Sequence, residues 1–361
     1  MVTDGVHRVA IIGCGKLGQE YADLYTSLPD AEIVAMVERN PDRLKHMGEK
    51  YGVTALYPDA DALFKDIVPD IAAVVTPTKY YKDVVIAAAE AGVKGVSTDK
   101  PIGATLSNAD AMVDACASRG VILSGGKLAR AIPEVQEAAS WIREGRFGEM
   151  TGAAVLSWSG EISGSGCHTI SVLRLLTGAE VEEVISWGSP EDVLAGDCDW
   201  GLTVNGRFKL SNGIDCPVFG KSIERGMVDV WNEDTLLRMA WGPPEIYRGY
   251  DENGARIKTD PRYTPNDWGE NRSLVGSIRA FLTAVETGDE SRLWISGHDL
   301  RQALEVAIAS HQSAQRGSVP IKLPLEDRSL TLYPRPYRWL GGDFYDTEGD
   351  KVIGRRKDID V

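Results

Sequence analysis

Between residue 8 and about residue 125, short apolar runs alternate with segments of helical periodicity, and nothing else in the chain restricts its fold so strongly. RVAII precedes a helical pattern through Leu17 to Ser27, and EIVAMV precedes one through Pro41 to Tyr51. IAAVV then leads to a pattern through Tyr80 to Ala91, KGVST to one from Ser107 to Arg119, and VILSGG ends the series. Strand and helix units repeated in this way form right-handed crossovers, so the strands lie parallel in one sheet with helices on both faces. The chain is therefore expected to be α/β, with a doubly wound domain over residues 1–126.

After Gly126 the texture changes. PEVQEAASWIREG reads as a helix stopped near Gly145, and TGAAVLSWSG, EEVISW, DWGLTVNGRFKL, GMVDVW and TLLRMAW read as strands. Their partial alternation, with turns expected at NG, SNG and NED, predicts a large, mostly antiparallel open sheet in an α+β domain over residues 127–330. Two late helices, SLVGSIRAFLTAVETG and GHDLRQALEVAIASHQSAQRG, are expected to close that domain. Residues 331–361, rich in Pro, Tyr and Asp, read as an extended arm over a core or a neighbouring subunit.

A length of 361 residues suffices for two domains with separate cores. The net charge of -14 argues against a nucleic-acid partner, because phosphate binding needs a concentrated basic surface and the one such cluster, the terminal GRRKD, reads as a solvated tail. No apolar run approaches the roughly 18 to 20 residues of a membrane span, and MVTDGVHR lacks the basic start and apolar core of a secretory signal, so the cytoplasm is the expected compartment. Cysteines 14, 116, 167, 198 and 216 are odd in number and form no CxxC pair, which suggests reduced thiols and no zinc site.

The first strand runs directly into GCGKLG, with Gly13, Gly15 and Gly18 flanking Lys16 and Leu17. In a dinucleotide-binding (Rossmann) turn the first glycine makes the bend, the second admits the pyrophosphate, and the third lets helix and strand pack closely. Glu38, at the end of the second strand, stands where a carboxylate takes the ribose hydroxyls. That acid favours NAD; Arg39 beside it leaves NADP open, since a guanidinium could accept a 2'-phosphate or stack on adenine.

Lys100, in STDKPIG, follows the KGVST strand at the carboxyl edge where open α/β sheets bind ligands, and Pro101 stiffens its backbone. In order, GCGKLG, VVTPTKYY, TDKPIG, GSGCHTISVLRLLTG and QALEVAIASHQSAQRGSVPIKLPL resemble the motif series of the glucose-fructose oxidoreductase and inositol dehydrogenase (Gfo/Idh/MocA) family. The resemblance spans nearly the whole chain. It implies that Thr76, Pro77 and Asp99 line the cofactor, that Lys100 touches both nicotinamide and substrate, and that His168 faces the reacting hydroxyl and exchanges its proton. It also implies that Arg130 lies near the substrate, with a structural ion pair as the other reading. His168 is expected to open an amphipathic helix whose Ile170, Leu173 and Leu176 face the core.

The departures from the family pattern are specific. Asp99 replaces a glutamate, Tyr81 stands where a histidine is common, and Gly164 and Ser171 stand where aspartates flank the family histidine. Tyr81 or Glu161 could complete the site, with Trp158 and Tyr80 as candidate sugar-stacking rings and the remaining tryptophans, Trp241 among them, as core or interface. The resemblance implies an NAD(P)-dependent dehydrogenase acting on a secondary alcohol of a sugar, sugar acid or cyclitol. Its alternatives are a transient-redox lyase or glycosidase and a non-catalytic ligand sensor. It further implies a homodimer or homotetramer assembled through the second-domain sheet.

Overall fold

The computed structural model describes residues 5–158, 161–221 and 226–341, with the backbone of two further short strands, Asp346–Glu348 and Lys351–Ile353. The GRRKD tail lies outside the described residues. Strands β1 (His7–Ile12), β2 (Ala31–Val37), β3 (Leu56–Tyr57), β4 (Ile71–Val74), β5 (Gly95–Ser97) and β6 (Ile122–Ser124) form a parallel sheet in the order β3-β2-β1-β4-β5-β6. Helices α1 (Lys16–Ser27), α2 (Pro41–Tyr51), α3 (Ala60–Asp66), α4 (Tyr81–Ala91) and α5 (Leu106–Ala117) connect them. β4 and β5 are buried along their whole length, as strands covered on both faces must be. The strand order reverses between β1 and β4, and that switch point opens a crevice at the carboxyl ends.

The second part begins with α6 (Pro133–Arg143), β7 (Gly152–Val155), α7 (Gly166–Thr177), β8 (Val181–Ser189) and α8 (Glu191–Leu194). It continues through β9 (Thr203–Leu210), β10 (Asp215–Val218), β11 (Val228–Trp231), β12 (Thr235–Met239), β13 (Glu245–Tyr250) and β14 (Arg256–Thr259). α9 (Arg272–Thr287), α10 (Gly297–Gln315), β15 (Ile321–Lys322) and α11 (Pro336–Leu340) follow. The nine strands order as β14-β13-β12-β11-β7-β10-β9-β8-β15, antiparallel except where β7 meets β10.

Three local expectations need correction. The Asn-Gly at 205–206 does not turn: it lies inside β9, paired with both β8 and β10. A Cβ on Gly206 would meet the Ile185 carbonyl oxygen at 2.2 Å, and Asn205 accepts the Gly220 N–H at 3.0 Å, so two-sided pairing overrides the local turn preference. The chain reverses instead at 211–213, at 232–234 and at the later Asn-Gly, 253–254. Second, α7 is not amphipathic in place; nearly every residue from Gly166 to Leu176 is buried, because the helix lies between the nine-stranded sheet, α6 and α10. Third, of the two late helices it is α10 that packs on the second sheet. α9 packs Leu274, Ile278 and Phe281 into a core with Val9, Ile11 and Ile71 of the parallel sheet.

The arm lies over its own chain. Thr331 bridges to Thr105, Leu332 is fully buried, and the Tyr333 N–H donates to the Asp197 carbonyl. Gly341 presses so closely on Pro77 that a Cβ there would lie 2.1 Å from the proline ring.

Candidate active site

The crevice at the switch point is a cavity of 720 Å³ lined by the GCGKLG turn, Glu38, Arg39, Thr76, Pro77, Asp99 and Lys100, and by Tyr337 and Arg338 of the arm. Each glycine of the turn shows its physical reason. Gly13 has φ 101, and a Cβ there would lie 2.8 Å from the Val75 carbonyl oxygen. A Cβ on Gly15 would meet nothing within 4 Å, so the space in front of that backbone is open for a ligand. One on Gly18 would strike the Gly13 carbonyl oxygen at 1.9 Å, which is the close helix-strand approach the third glycine permits. No side chain caps α1, so its first N–H groups and dipole face the cavity, the arrangement that binds a pyrophosphate.

Glu38 is held at the far end. Its Oε2 accepts the Cys14 N–H and its Oε1 the Asn40 N–H, both at 3.0 Å, and Arg43 lies 3.4 Å away. A carboxylate has lone pairs to spare for two ribose hydroxyls after these bonds. Arg39 sits over the Tyr80 ring at 5.0 Å and donates to its hydroxyl at 3.1 Å. Tyr80 therefore belongs to the nucleotide end of the cavity and not to the sugar. The residues present fit a dinucleotide.

A second cavity, of 910 Å³, adjoins the first and shares Lys16, Leu17, Asp99, Lys100, Tyr337 and Arg338 with it. Lys100 Nζ lies 3.1 Å from Asp99 Oδ2, while Asp99 Oδ1 accepts the Lys127 N–H at 3.1 Å, so the aspartate fixes the lysine from a backbone-anchored position. His168 lines the same cavity from the first turn of α7, with Trp241 edge-on to its ring at 4.8 Å. Its Nδ1 accepts the Ala129 N–H at 3.0 Å. Burial first, then the positive charges of Lys100, Arg338 and Lys127, hold its pKa well below the ordinary imidazole value. The ring is neutral, and the proton it carries is on Nε2.

Residues 7–127 match the family model described as an oxidoreductase family with an NAD-binding Rossmann fold. A myo-inositol 2-dehydrogenase from Thermotoga maritima is 30% identical over 335 residues, spanning 85% of this chain and 96% of that protein. The chain belongs to the Gfo/Idh/MocA family. This family member is thus an NAD-binding oxidoreductase. A D-apiose dehydrogenase from Paraburkholderia graminis is 24% identical over 336 residues, covering 85% of this chain and 88% of its own. In fold, the chain matches an inositol dehydrogenase homolog from Azotobacter vinelandii, solved with NADH and myo-inositol, at a TM-score of 0.73 and 15% identity, over 88% of this chain and 98% of that one.

Against the family pattern, several site residues lie elsewhere than the sequence suggests. Trp158 is buried to 1% exposure; it donates to the Val204 carbonyl at 2.7 Å and packs on Phe208, so it is core and not a stacking platform. Arg130 lines neither cavity. It donates to the carbonyls of Trp294 and Ser171 and pairs with Asp299 at 3.1 Å, which also binds Arg174, so the structural ion pair is the correct reading. Glu161 is buried behind the cavity and paired to Arg338, and Tyr81 is buried on the cofactor side. Trp241, expected in a core or interface, is instead exposed and lines the second cavity, as do Tyr337 and Arg338, which the sequence did not single out. Trp241 follows a strand with no motif around it, and α11 sits in an arm whose path local sequence does not set.

Proposed function

We propose that this enzyme oxidises a secondary alcohol of a sugar, sugar acid or cyclitol, with hydride passing to the nicotinamide of NAD. What carries the reading is the meeting of Lys100 and His168 in one cavity that opens into the nucleotide crevice. The named activities of the inositol and apiose dehydrogenases support the substrate class. NAD, when bound, supplies the hydride acceptor. Lys100 Nζ takes the alcohol proton as it passes one of its own to Asp99 Oδ2, so its positive charge stays beside the oxygen from which hydride leaves. His168 has its Nδ1 lone pair committed to Ala129, so it offers Nε2–H to the alcohol oxygen as a fixed donor and does not serve as the base.

We also place the enzyme in the cytoplasm, in keeping with five free cysteines. No helix among the described residues is long and apolar enough to cross a membrane. The nine-stranded sheet leaves Trp187, Tyr250 and Ile257 about half exposed, which supports assembly of a dimer or tetramer through that sheet. The arm at Pro77 favours a second reading, in which NAD stays bound and is reduced only transiently. The test is nicotinamide absorbance when protein and NAD meet a panel of sugars, sugar acids and inositols, with Lys100→Met in parallel. Multiple-turnover reduction lost in the variant supports net oxidation; one equivalent per site with product formed supports the second reading; binding without reduction or product refutes both.

A further inference from the structure

The nitrogens of Arg338 divide into one that is engaged and two that are not. Nε donates to Glu161 Oε1 at 2.5 Å, whereas Nη1 and Nη2 have no hydrogen-bond partner among the described residues. The side chain is only 16% exposed and borders both cavities, within the positive field felt by His168. Neither nitrogen is among the buried unpartnered atoms of the described residues, so this edge of the guanidinium is open to an acceptor in the cavity, and its planar fork matches a carboxylate bidentately. Of the other basic groups around the cavity, Lys127 is engaged by Glu20 and Asn271, Arg272 by Glu134, Arg335 by Glu161 and Lys100 by Asp99, while Lys16 is exposed in the glycine turn where the two cavities meet.

Gly164 connects this arginine to the departure seen in the sequence. A Cβ at 164 would lie 2.3 Å from Glu161 Oε1 and 2.9 Å from Arg338 Nε. The ion pair occupies the room that an aspartate side chain would need. A group that accepts from a hydroxyl has been exchanged for one that donates to an anion.

We propose that Arg338, delivered by the C-terminal arm, binds a carboxylate of the substrate through Nη1 and Nη2, so that this site takes an acidic sugar, an aldonate or uronate, in preference to its neutral counterpart. The proposal rests on the oxidoreductase reading above, deepens it to a substrate class, and assigns the arm a part in specificity.

The test uses two pairs that differ by one carboxylate, D-gluconate against D-glucitol and D-glucuronate against D-glucose, with wild type, Arg338→Met and Arg338→Lys. Calorimetric binding to the enzyme-NADH complex is measured alongside kcat/KM with NAD. The wild type is expected to favour the acid of at least one pair. In Arg338→Met that acid-to-neutral ratio is expected to fall about 10- to 100-fold, the worth of a charge-assisted bidentate contact. Arg338→Lys, which keeps the charge without the fork, should fall between. An equal loss for acid and neutral sugar, or no binding of either acid to wild type, overturns the proposal. So does a matching loss in NADH affinity, which would assign Arg338 to a cofactor phosphate. Arg338-dependent acid binding without any hydride transfer would keep the proposal and refute the oxidoreductase reading; neutral sugars oxidised with an unchanged ratio would do the reverse.

Discussion

Replacing His168 by alanine and, separately, by glutamine distinguishes a fixed donor from a base. The Ala129 N–H bond takes the Nδ1 lone pair, and burial with three nearby cations opposes a second proton on the ring. What remains is Nε2–H, a donor aimed at an oxygen that gains charge as hydride leaves. Removing one such donor costs about 10²- to 10³-fold in kcat, on the order of 3 to 4 kcal/mol. His168→Ala should show that loss. The glutamine amide places an N–H near the position of Nε2, so His168→Gln should stay within about tenfold of wild type. Steady-state kcat/KM for NAD reduction, followed over roughly pH 5 to 8 where an ordinary histidine titrates, should show no limb belonging to His168. The reasoning is wrong if glutamine is as damaging as alanine and both variants lose an acidic limb that the wild type has near the usual imidazole pKa.

Two further outcomes follow from the geometry. Glu38→Gln keeps an acceptor for the Cys14 N–H but removes the charge that repels a 2'-phosphate, so the NAD-to-NADP ratio of kcat/KM should fall about tenfold, or about 1.4 kcal/mol. Burial pushes the Asp199 carboxyl up to about 7, so the native state keeps a proton that the unfolded chain has already lost, and stability falls as pH rises from the ordinary carboxylate range to about 7. Asp199→Asn should raise the melting temperature at pH values above about 7, by up to about 4 kcal/mol of stability, and the gain should shrink toward pH 4; a gain equal at both ends contradicts the assignment.

The sequence made the parallel sheet and its glycine turn readable because both are local: apolar runs, helix starts and three glycines within one turn. β3 and α3 escaped because two residues and seven residues carry too little periodicity. Asn205–Gly206 misled because turn preference is local while pairing on both sides is not. Arg130 and Trp158 stood close to motifs in sequence, yet Asp299 and Phe208, which decide their roles, are distant along the chain. Arg338 was out of reach for the same reason. Its partner Glu161 and the gap at Gly164 acquire meaning only when the arm is folded over them.

Hydride transfer itself is tested most directly by isotope. The best alcohol of the substrate panel, deuterated at its carbinol carbons, is incubated with enzyme and NAD, and the nicotinamide is recovered and weighed by mass spectrometry. Recovered NADH carrying one deuterium, absent with Lys100→Met, is the result this account predicts. Product formed with no deuterium ever found on the nicotinamide would contradict it.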